Sequence, residues 1–190
     1  IKLENVIFHI DVNSAFLSWE AVYRLENGGT VDLRSIPSAV GGDRSKRRGI
    51  ILAKSIPAKA FGVRTGEPIV DAMRKCPSLT IIPSHHGMYR EYSKKFMDIL
   101  REYTPDVEKY SIDEAFMNMT GMERLLGEPV AFAHRLKDRI KKELGFTVNI
   151  GISSNKLLAK MASDFQKPDR VHTLFPEEVP EKMWPFPVSE

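Results

Sequence analysis

Short apolar, β-rich runs alternate with longer stretches of helical periodicity along this chain. Val6–Val12 predicts a strand, with Asp11 near its end. Ser14–Glu26 has apolar positions at helical spacing and stops at Asn27-Gly28-Gly29. Residues 27–48 show little periodicity and read as a loop or irregular stretch. Gly49–Ser55 predicts a strand, Pro57–Phe61 a helical turn ended by Gly62, and Pro68–Lys75 a helix with Pro77 just beyond. Leu79–Ile82 is another strand. In the long helix that follows, about 86–103, Tyr89, Tyr92, Phe96, Ile99 and Tyr103 repeat at helical spacing, which places them in a core. Val107–Met119 predicts a hairpin and Pro129–Leu144 a helix broken by Gly145. Thr147–Ser153 predicts a strand, Asn155–Gln166 a helix and Val171–Phe175 a last strand.

This order predicts an α+β fold, with a mixed or antiparallel sheet flanked by helices. The less regular stretch, about 19–84, is expected to form a small inserted subdomain.

The composition is that of a globular protein: 42% hydrophobic and 28% charged over 190 residues. A formal net charge of +3 does not announce a nucleic-acid binder. The distribution says more. Between Gly41 and Arg64 stand Arg44, Lys46, Arg47, Arg48, Lys54, Lys59 and Arg64 against the single acid Asp43. Such a block can meet phosphate, and it equally suits a solvated loop. The lone Cys76 rules out an internal disulfide and suits a reducing, cytoplasmic setting. No apolar run reaches transmembrane length and no signal peptide opens the chain. A start at Ile1 and the apolar end Trp184–Val188 suggest an excerpt of a longer protein.

Three acids stand out. Asp11 ends the first strand, and the adjacent Asp113 and Glu114 interrupt an otherwise apolar strand segment. Acids are uncommon inside strands. Because successive strand side chains point to opposite faces, Asp113 and Glu114 can share a site only where the backbone bends. Gathered carboxylates repel, so they take up protons or bind cations. Magnesium prefers such oxygen ligands together with substrate phosphates. The alternative is that each acid pairs with a lysine or caps a turn.

The helix 155–166 shows Lys156 and Lys160 on one face, extended by Lys167, with Leu157, Leu158, Met161, Ala162 and Phe165 opposite. Such lysines can meet a triphosphate or a DNA backbone, or simply be solvated. Other chemistries lack their residues. There is no Walker loop or dinucleotide fingerprint, and one cysteine makes no zinc site. Five scattered histidines argue no catalytic triad. His9, inside a strand, reads as a satisfied core residue.

As an ordered set, four runs resemble the Y-family (translesion) DNA polymerases, most closely the branch similar to the catalytic subunit of bacterial DNA polymerase V (ImpB/MucB/SamB type). The runs are Phe8–Phe16 (FHIDVNSAF), Ala58–Pro68 (AKAFGVRTGEP), Tyr110–Phe116 (YSIDEAF) and Gly151–Lys160 (GISSNKLLAK). They span nearly the whole chain in the family's order.

The resemblance implies a ferredoxin-like palm at 1–18 and 85–175, inserted fingers at 19–84, and a linker at 176–190 leading toward a thumb. It implies two-metal transfer of a dNMP to a primer 3′-hydroxyl, serving translesion synthesis and DNA repair. Asp11, Asp113 and Glu114 fall on the catalytic, metal-binding carboxylates, and the Val12 carbonyl completes one shell. The ions would be two Mg²⁺, with Mn²⁺ able to substitute. Ala15, Phe16, Lys59 and Lys167 would bind the nucleotide, with Phe16 excluding a ribose 2′-hydroxyl. Asn155, Lys156 and Lys160 would meet DNA. Partners would be primer-template DNA, dNTP and a sliding clamp reached through a C-terminal region not in this sequence. Without thumb and little finger, the excerpt is expected to extend primers weakly or not at all. The sequence departs from many members where Ile56 and Lys59 replace a Tyr and an Arg. A nonenzymatic DNA-binding paralogue and a palm-type nucleotide cyclase are the other readings.

Overall fold

The structure is a computed structural model that describes residues 4–42 and 49–188. Asp43, Arg44, Lys46, Arg47 and Arg48 of the basic block lie outside the described residues. The elements are β1 (Ile7–Val12), α1 (Ala15–Glu26), β2 (Ser38–Gly41), β3 (Ala53–Lys54), α2 (Ile56–Ala60), α3 (Ile69–Lys75), β4 (Thr80–Pro83) and α4 (His86–Arg101). They continue with β5 (Val107–Lys109), β6 (Glu114–Asn118), α5 (Glu123–Leu126), α6 (Pro129–Leu144), β7 (Val148–Ser153), α7 (Lys156–Ser163), β8 (Val171–Thr173) and α8 (Val179–Lys182). None of the described helices is long and apolar enough to cross a membrane.

The chain divides into two compact units, residues up to 13 with those from 93 onward, and residues 14–92. The first unit is built on a sheet of order β5-β6-β1-β7-β8. β1 lies antiparallel to β6 and β7, and β8 runs parallel to β7. Alternation along β1 gives this sheet two different faces. Phe8, Ile10 and Val12 point one way with Met117, Ala115, Ile152 and Ile150, all buried. Helix α6 closes this face with Phe132, Leu136 and Ile140, spaced one helical turn apart, and Phe132 stacks on Phe8. The Glu128 carboxylate caps α6 by accepting from the N–H groups of Val130 and Ala131, and Gly145 at φ 80° ends it.

The other face carries polar residues. Asp11 lies between Glu114 on β6 and Asn149 on β7, and His9 between Phe116 and Gly151. Helix α7 covers it so closely that a β-carbon on Gly151 would overlap the Ala159 carbonyl oxygen. The contact keeps Ala162 of the expected apolar side buried but turns Leu157 of that side outward. Small residues, Ala159, Ala162 and Ser163, face the sheet, whereas Leu157 is 70% exposed. A larger side chain at the interface would hold the helix off the strand. The helix also ends at Ser163 rather than Gln166, so Lys167 sits in the turn that follows.

The second unit holds a small sheet of order β3-β2-β4. Strand β2 falls inside the stretch expected to be irregular. Its Ser-Ala-Val-Gly sequence is too short to show a period, and pairing with β3 and β4 makes the strand. Conversely, the strand expected at Gly49–Ser55 shrinks to Ala53–Lys54, because Ile51 bonds instead to the backbone of Gly66 and Glu67. Ile51, Ala58, Val63, Ile69, Ala72 and Leu79 form the core of this part. The Ser55 hydroxyl caps α2 at Ala58 N–H, receives Ser38 N–H and donates to Ile36 C=O. Tyr89, Tyr92, Phe96 and Ile99 of α4 are buried as their spacing predicts, whereas Tyr103 lies past the helix end and is only half-buried.

Candidate active site

At one end of the polar face, Asp11 of β1 is the direct cross-strand partner of Glu114 of β6. Like charges placed opposite each other destabilise a sheet unless something neutralises them. Two lysines do so: Lys167 Nζ donates to Asp11 Oδ2, and Lys160 Nζ to Glu114 Oε1. Lys167 also pairs with Asp164 at 3.0 Å.

Asp113 sits in the bend that precedes β6, and there the alternation of strand side chains is broken. The Ser111 hydroxyl lies 2.8 Å from Asp113 Oδ1 and 3.1 Å from Glu114 Oε2, so both adjacent acids reach one hydroxyl. The bend is fixed by Val12 N–H donating to the Asp113 carbonyl (3.0 Å) and by Ser93 Oγ donating to that of Ile112.

Burial pushes the Asp11 carboxyl up to about 6, with the Lys167 charge pulling against it and the charges of Asp113 and Glu114 adding to it. Burial alone would also raise Glu114, but the hydrogen bond and charge of Lys160 prevail and hold it below its ordinary value. Lys160 and Lys167, which burial would lower, are carried above theirs by these same carboxylates.

Behind Glu114 stands His9, 1% exposed. Burial, with the Lys160 charge adding, pushes its pKa down to about 4, so the ring is neutral at pH 7. Its Nε2 lies 3.1 Å from Glu114 Oε1 and its Nδ1 2.7 Å from Ser163 Oγ. One ring nitrogen faces the Glu114 carboxylate and the other the Ser163 hydroxyl, which also donates to the Lys160 carbonyl at 2.7 Å. His9 is thus a satisfied buried residue whose partner is a site carboxylate.

The other expected site residues are placed as follows. Asn155 caps α7, its Oδ1 accepting from Leu158 N–H at 2.9 Å. Lys156 pairs with Glu108 and lies 5.5 Å from the centre of the Phe116 ring, while Lys160 lies 5.1 Å from that of Tyr110. In the second unit, Ala15 and Phe16 open α1, whose first N–H groups lack intrahelical partners. Ser14 before them adopts φ 44°, a left-handed conformation uncommon for a non-glycine residue. Phe16 stacks on Tyr89, ring centroids 4.7 Å apart and planes 14° from parallel. Lys59 is exposed on α2, as is Ile56.

The donor chemistry at Asp11, Asp113, Glu114 and the Val12 carbonyl is all oxygen, which suits a hard divalent cation. Among the described residues, no three His, Cys, Asp or Glu side chains are gathered as a group able to hold a metal ion. The lysine ammoniums take up the carboxylates' lone pairs instead. The donor set fits such an ion in kind, with the lysines as its competitors.

Sequence reasoning passed over four residues that organise this region: Ser111, Ser163, Asn13 and Asn149. Ser111 and Asn13 sit in the quoted motifs, so their place beside the acids was a signal. Ser163 and Asn149 had none, since both act through the close packing of α7 on β7.

Comparison with known proteins gives one consistent answer. The sequence profile of the impB/mucB/samB family matches residues 10–164. A DNA polymerase IV of Clostridium acetobutylicum is 53% identical over 188 residues, covering 99% of this chain and 47% of that protein. DNA polymerase IV 1 of Bacillus subtilis is 42% identical, covering 97% and 43%. The chain therefore spans about half the length of the curated relatives it matches. These relatives carry the name of polymerase IV, not of the polymerase V branch to which the motif runs were compared. Among solved structures, a Y-family DNA polymerase chimera of Dbh and Dpo4 superposes with a TM-score of 0.80 at 28% identity, covering 92% of this chain and 50% of that one. DinB from Sulfolobus solfataricus gives 0.77 at 27%, covering 92% and 49%.

Proposed function

The chain belongs to the impB/mucB/samB family, and from that premise we propose that it is the catalytic part of a Y-family DNA polymerase for translesion synthesis and DNA repair. The observation that carries the reading is the Asp11–Glu114 cross-strand pair, joined by Asp113 through Ser111 and neutralised by Lys167 and Lys160. The structural relatives include a ternary complex of Dbh described as an insertion complex. The proposed ligands here are a primer-template and a dNTP.

In the proposed reaction, the primer 3′-hydroxyl gives its proton to solvent water and its oxygen bonds to the α-phosphorus. The bond from that phosphorus to the bridging oxygen breaks, and pyrophosphate leaves. Asp11, Asp113, Glu114 and the Val12 carbonyl would hold two Mg²⁺. When bound, these ions would supply positive charge to the attacking and leaving oxygens. Lys167, now on Asp11 and Asp164, would exchange a carboxylate for phosphate oxygens and neutralise the triphosphate. The N–H groups of Ala15 and Phe16 would receive phosphate oxygens, and Phe16 would meet the sugar. Lys59 would add charge without the bidentate fork of an arginine. Asn155, Lys156 and Lys160 would face the DNA strand. A sliding clamp would bind through sequence outside this span, and the setting would be cytoplasmic. The proposed division assigns 1–18 and 85–175 to the palm, 19–84 to the fingers and 176–190 to the linker.

Primer extension by the protein at its natural length, with Mg²⁺ on undamaged and abasic templates, tests the reading. Templated incorporation of dNMP is expected. DNA binding without incorporation would instead favour a nonenzymatic paralogue.

A further inference from the structure

Two buried asparagines hold the segment that carries Lys167. Asn149 is fully buried on β7, directly across from Asp11. Its Nδ2 donates to the carbonyls of Ser163 (2.9 Å) and Gln166 (2.7 Å), the last residue of α7 and the residue before Lys167. Its Oδ1 accepts from Arg170 N–H (3.1 Å) and from Asn13 Nδ2 (3.2 Å). Asn13 Oδ1 in turn accepts from Asp169 N–H (3.0 Å) and Thr147 Oγ1 (2.9 Å). Backbone groups on both sides of Lys167 therefore end on these two side chains.

A primary amide offers two donors and an acceptor oxygen with two lone pairs, and Asn149 uses all four. Its orientation is fixed, because turning it would set an oxygen against two carbonyl oxygens. Asn13 must then present a donor to Asn149 Oδ1 and an acceptor to Asp169. The orientation of Asn149 thus dictates that of Asn13, and the two amides match each other.

We propose that Asn13 and Asn149 are a matched pair of positioning residues that set Lys167 for the nucleotide's phosphates. This rests on the polymerase reading for the role of Lys167. Asn13→Asp keeps the acceptors but turns a donor into an oxygen facing Asn149 Oδ1. Asn149→Asp, of equal size, loses both donors to the Lys167 segment. Asn149→Ser removes the opposing oxygen, so adding it to Asn13→Asp harms less than the two single effects together.

The test uses the protein at its natural length. It combines equilibrium dNTP binding, single-nucleotide incorporation, thermal melting and exchange of the Asp169 and Arg170 amide protons. Asn13→Asp is expected to weaken dNTP binding and raise KM about tenfold, the scale of a lost buried hydrogen bond. Its kcat should move little, its melting midpoint should fall by a few degrees, on the order of the same lost bond, and both amides should exchange faster. With Asn149→Ser measured alone as well, the double variant should lose less binding than the two single losses together, a coupling that independent sites do not show. Unchanged dNTP affinity and amide protection in Asn13→Asp would overturn the proposal. So would losses that follow the melting midpoint across all variants, or strictly additive effects in the double variant. If Asn149→Asp does not fold, Asn13→Asp and the double variant still decide. A parent protein that binds dNTP but extends no primer would sink the polymerase reading, while binding and amide exchange would still judge the pair.

Discussion

Gly151 and Ala159 pack backbone to backbone: a β-carbon on Gly151 would overlap the Ala159 carbonyl oxygen and reach 2.5 Å from the Ser163 nitrogen. Both obstructions are main-chain atoms, which cannot swing aside as a side chain can. The contact brings α7 down on β1 and β7, and with it Lys160 onto Glu114 and Ser163 onto His9.

Gly151→Ala is therefore expected to lift α7 and destabilise the protein by about 3 kcal/mol, at the upper end of overpacking costs. Urea unfolding of the parent and the variant checks this. Equal midpoints would mean that the helix has room to shift.

Asp169 ties the turn after Lys167 to α6. Its carboxylate accepts from Lys137 and Lys141, each at 3.0 Å, and its backbone is left-handed at φ 61°. Burial alone would raise its pKa, but these bonds outweigh burial and hold it below the ordinary carboxylate value. As pH falls, the unfolded chain takes up this proton first. The contribution is thus complete above the unfolded pKa of about 4 and is lost as pH falls through the lower folded value. Asn tolerates the same backbone, so Asp169→Asn isolates the charge. The variant should be about 1–2 kcal/mol less stable than the parent at pH 7, with the gap closing toward pH 2. A gap independent of pH would remove the ion pairs as its cause.

The elements legible in the sequence were those with a long period or a clear stop. The helix 129–144 shows both, with Pro129 at its start and Gly145 at its end. Asp11, Asp113 and Glu114 stood out because acids are out of place in strand sequence. Strand β2 was not legible, since it forms only by pairing with β3 and β4. The exposure of Leu157 was hidden because helical periodicity does not reveal how near a helix lies to its sheet. Gly151, a small residue in a strand, was the visible trace of that approach.

Lys167 is the cation held by Asp11 and Asp164. In Lys167→Ala, dNTP KM should rise about tenfold or more, as expected when a charge-assisted hydrogen bond to phosphate is lost. Primer-template affinity should change less than threefold, about 0.6 kcal/mol. Lys167→Arg restores charge with a different reach and should fall between the two. Steady-state incorporation and DNA anisotropy at one salt concentration separate these effects. A change confined to DNA affinity would place Lys167 on the DNA instead.

Phe16 opens α1 and lies half-buried with one face on Tyr89, while His86 meets it edge-on at 5.9 Å. Stacking fixes the ring, and a fixed ring can exclude a sugar hydroxyl by occupying its space. Phe16→Ala removes both the stack and the obstruction. Loss of the stack should cost about 1 kcal/mol beyond the area no longer buried. Loss of the obstruction should lower the preference for dNTP over rNTP by at least about tenfold, the scale on which a pocket discriminates by size. Phe16→Leu keeps apolar bulk without an aromatic face, so it should recover stability partly and sugar selection partly. The measurements are the ratio of kcat/KM for dNTP and rNTP, and the unfolding midpoint of each variant. An active Phe16→Ala protein with reduced stability and an unchanged ratio would show a ring that serves only the core.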